Sequence, residues 1–145
     1  PVAGPPRTFT VRGDHVVAKI LIVDDDPDML EAGRFILEAE GHEVLGASTV
    51  AAGMKTIEEE APELLILDVM MEEPDEGISM ARRLRSQGRT LPILMLTSIN
   101  VVLGLNIGKD EVMVPVDEFV EKPVDPPVLV AKVARLLENK DGASW

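Results

Sequence analysis

The chain predicts a doubly wound α/β domain with a five-stranded parallel sheet in the order 2-1-3-4-5. Three observations carry this. First, the runs Ile20-Leu21-Ile22-Val23, Leu64-Leu65-Ile66-Leu67 and Ile93-Leu94-Met95-Leu96 are aliphatic without polar alternation, as strands buried on both faces are. Second, helix-length segments separate the strands, and alternation of strand and helix implies right-handed crossovers in one parallel sheet. Third, each run leads into polar residues: Asp24-Asp25-Asp26, Asp68, Thr97-Ser98, and, after Phe119-Val120-Glu121, Lys122-Pro123. In this strand order such residues meet at the carboxyl edge of the sheet, near the switch between strands 1 and 3.

The elements follow in order. Residues 1–17 read as a flexible tail, with prolines at Pro1, Pro5 and Pro6 and no period before Val16. A single domain over 18–139 is expected next, then a frayed tail over 140–145. The first strand covers about 19–23. A helix over about 27–40 starts on the Asp26 cap with Pro27 in its first turn, and Gly41 stops it. A short strand covers 43–47, and Ser48 or Thr49 caps a helix over about 50–60 that ends before Pro62. The third strand is 64–67; a polar loop, 72–77, leads to a helix over about 78–86 that breaks near Gly88. Strands over 91–96 and 116–120 and a helix over about 126–138 complete the order. Between Ser98 and Asp117, β-branched residues, Gly104, Gly108 and Pro115 lower helix propensity, so the fourth helix is expected to be short, displaced or poorly ordered.

Composition narrows the function classes. With 145 residues, 46% of them hydrophobic and only 3% aromatic, the chain suits one domain with an aliphatic core. A net charge of -12 argues against direct grip on nucleic-acid phosphates. The absence of cysteine excludes disulfide and thiolate chemistry. No apolar run approaches the roughly 18 residues of a membrane span, and no signal-peptide pattern is visible. A soluble cytoplasmic protein without a membrane or nucleic-acid partner is therefore expected. His15 and His42 suggest no site and read as ordinary surface residues.

The strand-end residues define a chemistry. Two or three carboxylates cannot stay ionised together without a counter-charge, so either one keeps its proton or a cation joins them. Hard oxygen ligands favour magnesium or manganese. Asp25 and Asp68 are the expected direct ligands, with Asp24 binding directly or through water. A carboxylate beside such a metal can attack phosphorus, and Asp68, ending the central strand, is the expected nucleophile. Lys122 and Thr97 supply the ammonium and hydroxyl donors that stabilise phosphoryl oxygens.

The segments ILIVDDDP (Ile20–Pro27), LLILDVMM (Leu64–Met71), PILMLTS (Pro92–Ser98) and DEFVEKP (Asp117–Pro123) resemble the receiver domain of two-component response regulators, from about residue 19 to 137. The resemblance implies a flavodoxin-like fold and magnesium-dependent phosphoryl transfer to aspartate from the phosphohistidine of a sensor histidine kinase or phosphotransfer protein. It makes Asp68 the acceptor, Asp24 and Asp25 the acidic pair, and Met70 a metal ligand through its carbonyl. It makes Thr97 the switch hydroxyl, Lys122 the phosphate partner and Phe119 the switch aromatic. It also implies a downstream protein that reads the switched surface and allows a homodimer. Two departures stand out: Gly77 lies one position later after the acceptor than the family pattern has it, and 99–115 lacks the usual Ala-rich helix. Three other readings remain. One is a degenerate receiver acting as a phosphorylation-independent interaction module. Another is an Asp-nucleophile phosphatase, which needs an acid where Met70 stands. The last is a flavodoxin-like cofactor binder, which the three aspartates oppose unless a metal intervenes.

Overall fold

The computed structural model describes residues 10–12, 15–71, 73, 76–98 and 116–142. Five strands, β3 (Lys19–Val23), β4 (Glu43–Ala47), β5 (Leu64–Asp68), β6 (Ile93–Thr97) and β7 (Glu118–Glu121), form one parallel sheet in the order β4-β3-β5-β6-β7. That is the predicted 2-1-3-4-5 order. Four helices among the described residues alternate with them: α1 (Pro27–Glu38), α2 (Val50–Glu60), α3 (Glu76–Ser86) and α4 (Pro126–Gly142).

The aliphatic runs fold as their lack of alternation requires. Every residue of β5 and β6 is buried, whereas edge strand β4 mixes exposed and buried residues. Successive side chains leave the sheet on opposite faces. Leu21, Val23, Leu65, Leu67, Ile93 and Met95 pack with Ile57 of α2 and Met80, Ala81 and Leu84 of α3. Ile20, Ile22, Leu64, Ile66, Leu94 and Leu96 pack with Leu37 of α1 and Leu129, Val133 and Leu137 of α4. Full burial of one such side chain contributes about 1.5–3 kcal/mol, so two covered faces make the sheet a rigid platform for its edge residues.

The helix signals act where they were expected. The Asp26 carboxylate accepts from Asp28 N–H at 2.9 Å with Pro27 opening α1, and the Thr49 hydroxyl accepts from Ala52 N–H at 3.0 Å at the start of α2. Gly41 (φ 97°) turns the chain after α1. Ala61 takes the same left-handed region (φ 49°) after α2, although it carries a Cβ.

Four expectations change. Residues 10–17 are not all tail: β1 (Thr10–Arg12) and β2 (His15–Val17) pair antiparallel, and β2 lies against α4. Short β-branched segments flanking Gly13-Asp14 carry a hairpin signal too brief to show as a period. Helix α3 starts two residues earlier than predicted, at Glu76, whose carboxylate reaches back to the Glu73 N–H at 3.3 Å. The last helix continues to Gly142, into the segment expected to fray. His42 is not a surface residue: it is buried, and its Nδ1 accepts the Ala18 N–H at 3.1 Å, tying the start of β3 to the α1–β4 turn. The expectation for 99–115 lies outside the described residues. Among the described residues no helix is long and apolar enough to cross a membrane.

Candidate functional site

The parallel register brings the carboxyl ends of β3, β5, β6 and β7 to one edge. Asp24 follows β3; its N–H donates to the Ala47 carbonyl at 3.1 Å, and its Oδ1 accepts the Asp26 N–H at 2.9 Å. These two bonds hold a fully buried carboxylate at the sheet edge. Asp25 beside it is exposed. Asp68 ends β5 and Thr97 ends β6; both are buried. Lys122 follows β7, anchored by its N–H donating to the Thr97 carbonyl at 2.8 Å.

The side chains converge. Carboxylate oxygens of Asp24, Asp25 and Asp68 lie within 4.8 Å of one another. Lys122 Nζ stands 3.1 Å from Asp24 Oδ2 and 3.4 Å from Asp68 Oδ1. Lys122 meets Asp24 Oδ2 as an ion pair, and that buried oxygen has no other partner among the described residues. A buried carboxylate oxygen with one ammonium neighbour, beside two further carboxylates, fits a hard divalent cation such as magnesium.

Burial, then the charge of Asp24, raises Asp68 from 3.8 to about 6, with Lys122 opposing the shift. Burial acts to lower Lys122, but the charges of Asp68 and Asp24 outweigh it and raise the ammonium above its ordinary value. Because the folded value of Asp68 lies above the unfolded one, its protonated form favours folding below about pH 4, and that contribution is lost as pH rises through 6. Asp68→Asn is therefore expected to stabilise the protein at pH 7.5 in a chelator, by on the order of 1–2 kcal/mol after allowance for solvent at the edge, and not at pH 4. Urea unfolding at the two pH values checks this; an equal effect at both would contradict it.

The remaining sequence candidates sit around this cluster. The Thr97 hydroxyl donates to the Ser98 carbonyl at 3.3 Å. Met70, two residues past Asp68, is exposed. Phe119 is half-buried on β7, packed against the α2–α3 core layer and outside the carboxylate cluster.

Gly77 was underrated by the sequence. Its N–H donates to the Val69 carbonyl at 2.9 Å, and a Cβ there would stand 1.9 Å from the Asp68 carbonyl oxygen. The backbone behind Asp68 therefore requires glycine at the start of α3. The signal was present as a glycine shortly after Asp68; the extra residue between them obscured it.

A family model, response regulator receiver domain, matches residues 20–134. The chain is 36% identical over 130 residues to the alkaline phosphatase synthesis transcriptional regulatory protein PhoP of Bacillus subtilis, covering 87% of this chain and 51% of that protein. It is 36% identical over 133 residues to the DNA-binding response regulator MtrA of Mycolicibacterium smegmatis, covering 88% of this chain and 54% of that protein. Among solved structures, a putative response regulator from Chloroflexus aurantiacus superposes with a TM-score of 0.73 at 31% identity, over 83% of this chain and 98% of that one. The receiver domain of NtrX from Brucella abortus gives 0.70 at 27% identity, over 82% and 98%.

The chain thus spans about half the length of the curated relatives it matches. That corrects the expectation of no nucleic-acid partner, since MtrA is a DNA-binding regulator. The net charge of -12 describes this span alone and carries no information on the other half of such a protein. The family match over most of the chain, the receiver structures it superposes on and the acidic edge agree: the chain belongs to the response regulator receiver domains, signalling domains of two-component systems.

Proposed function

We propose that this domain accepts a phosphoryl group on Asp68 from the phosphohistidine of a sensor histidine kinase or phosphotransfer protein, acting in the cytoplasm. The observation that carries the reading is the Lys122 ammonium set between two buried carboxylates, Asp24 and Asp68, at one sheet edge. A bare cation site would not place a cation of its own there. A site that receives an anion on one carboxylate needs that ammonium for the incoming charge.

An Asp68 carboxylate oxygen forms the new bond to phosphorus as the P–N bond breaks, and the electron pair leaves on the imidazole nitrogen, which takes a proton. With its proton leaving at about pH 6, Asp68 is mostly ionised and nucleophilic at neutral pH. Asp24, Asp25, Asp68 and the Met70 carbonyl would hold magnesium, which supplies positive charge to the phosphoryl oxygens when bound. Lys122 stays with the added anion after transfer. Thr97 is free to exchange its bond to the Ser98 carbonyl for one to a phosphoryl oxygen, because a hydroxyl rotates to suit its acceptor. Phe119 on the adjacent strand responds to that move, and the surface read by a downstream partner changes. The relatives suggest that this response regulates transcription in a longer protein.

Incubation with acetyl phosphate and magnesium tests the reading. Intact-protein mass is expected to show one added phosphoryl group, absent in Asp68→Asn and absent with a chelator. Uptake that persists in Asp68→Asn would contradict it.

A further inference from the structure

We propose that Lys132 and Glu118 form a positioning pair that pins the backbone of Phe119 to α4 and so governs how Lys122 meets the phosphoryl group; this rests on the phosphoacceptor reading above. Strand β7 ends the sheet, with β6 as its one strand neighbour among the described residues. A strand held on one side needs other ties to fix its position. Its first tie is Asp117, whose Oδ2 accepts the Ile93 N–H at 2.8 Å and Arg85 Nη2 at 3.0 Å. Its last is the Lys122 N–H on the Thr97 carbonyl. Between them lies the stretch that carries Phe119.

Both backbone polar groups of Phe119 belong to one ionic cluster. Its N–H donates to Glu118 Oε1 at 3.1 Å, and its carbonyl accepts from Lys132 Nζ at 2.9 Å. Lys132 Nζ also reaches Glu118 Oε1 at 3.3 Å, and Arg135 Nη2 meets Glu118 Oε2 at 2.5 Å. Burial works to raise Glu118, but the Phe119 N–H and the Lys132 and Arg135 charges outweigh it and hold the carboxyl below its ordinary value. Meanwhile the Phe119 side chain packs in the opposite layer, against the core shared with α2 and α3. A change at its ring is thereby tied through its backbone to α4. Partly exposed ion pairs add little stability, so position rather than strength is what this cluster contributes.

Lys132→Met keeps the aliphatic stem and removes the charge; Lys132→Arg restores a donor to both acceptors. In the full chain, Lys132→Met is expected to weaken binding of a beryllofluoride phosphoryl mimic with magnesium by about 3- to 10-fold. Magnesium affinity should stay within about twofold, because its candidate ligands stand at the carboxyl ends of β3 and β5. Amide exchange at Phe119 should quicken by about tenfold, and Lys132→Arg should restore both. Unchanged Phe119 exchange, unchanged mimic affinity, or an equal drop in magnesium affinity overturns the proposal. If the unaltered protein takes no mimic, the phosphoacceptor reading fails, and Phe119 exchange alone decides the pinning.

Discussion

Gly77→Ala is expected to lower stability by roughly 2–3 kcal/mol and to slow phosphoryl uptake at Asp68 by at least about tenfold. The added Cβ would stand 1.9 Å from the Asp68 carbonyl oxygen, 2.8 Å from the Asp68 carbonyl carbon and 2.9 Å from Val69 Cα. All three are backbone atoms, so no side-chain rotation relieves the clash. Either α3 shifts outward, breaking the Gly77 N–H bond to the Val69 carbonyl, or the end of β5 moves and carries Asp68 away from Lys122. The first route costs stability and the second also costs chemistry. Urea unfolding and acetyl phosphate uptake measure the two. A variant as stable and as reactive as the parent would show that the start of α3 does not set the position of Asp68.

Lys122→Met is expected to act through charge. It leaves the buried carboxylates of Asp24 and Asp68 facing each other with their shared cation gone. In a chelator at pH 7.5 the loss should be on the order of 1–3 kcal/mol, moderated because Lys122 is itself partly open to solvent. The sign with pH follows from Asp68, whose proton affinity rises further without the ammonium. As pH falls toward 5 the carboxyl takes a proton, the repulsion disappears and the deficit shrinks. Magnesium should recover part of the stability at pH 7.5, since a divalent cation can replace the missing charge. It should not recover phosphoryl uptake, which is expected to fall at least about a hundredfold without the Lys122 donor. A deficit independent of both pH and magnesium would indicate lost packing instead.

Much of the fold was legible because its determinants are local. Aliphatic runs without alternation located β3, β5 and β6, and Asp26 and Thr49 marked helix starts by the bonds they make. The placement of the candidate residues was legible for the same reason: in a parallel sheet, the residue after each strand goes to one known edge. What escaped depends on contacts distant in sequence. His42 is buried because the Ala18 N–H needs an acceptor, and nothing near residue 42 announces that. Glu118 and Lys132 are fourteen positions apart and meet only because α4 lies on the face beside β7. Gly77 looked displaced by one residue, yet α3 still begins against the Asp68 carbonyl. The β1–β2 hairpin has three-residue strands, too short for alternation to register.

Chemical location of the phosphoryl group tests the central claim most directly. After treatment with acetyl phosphate and magnesium, borohydride reduces an aspartyl phosphate to homoserine, and peptide mass spectrometry finds the position. Homoserine at position 68 and at neither 24 nor 25 is the predicted result. Homoserine at another aspartate, or none anywhere while phosphate is retained, would contradict the assignment of Asp68 as acceptor.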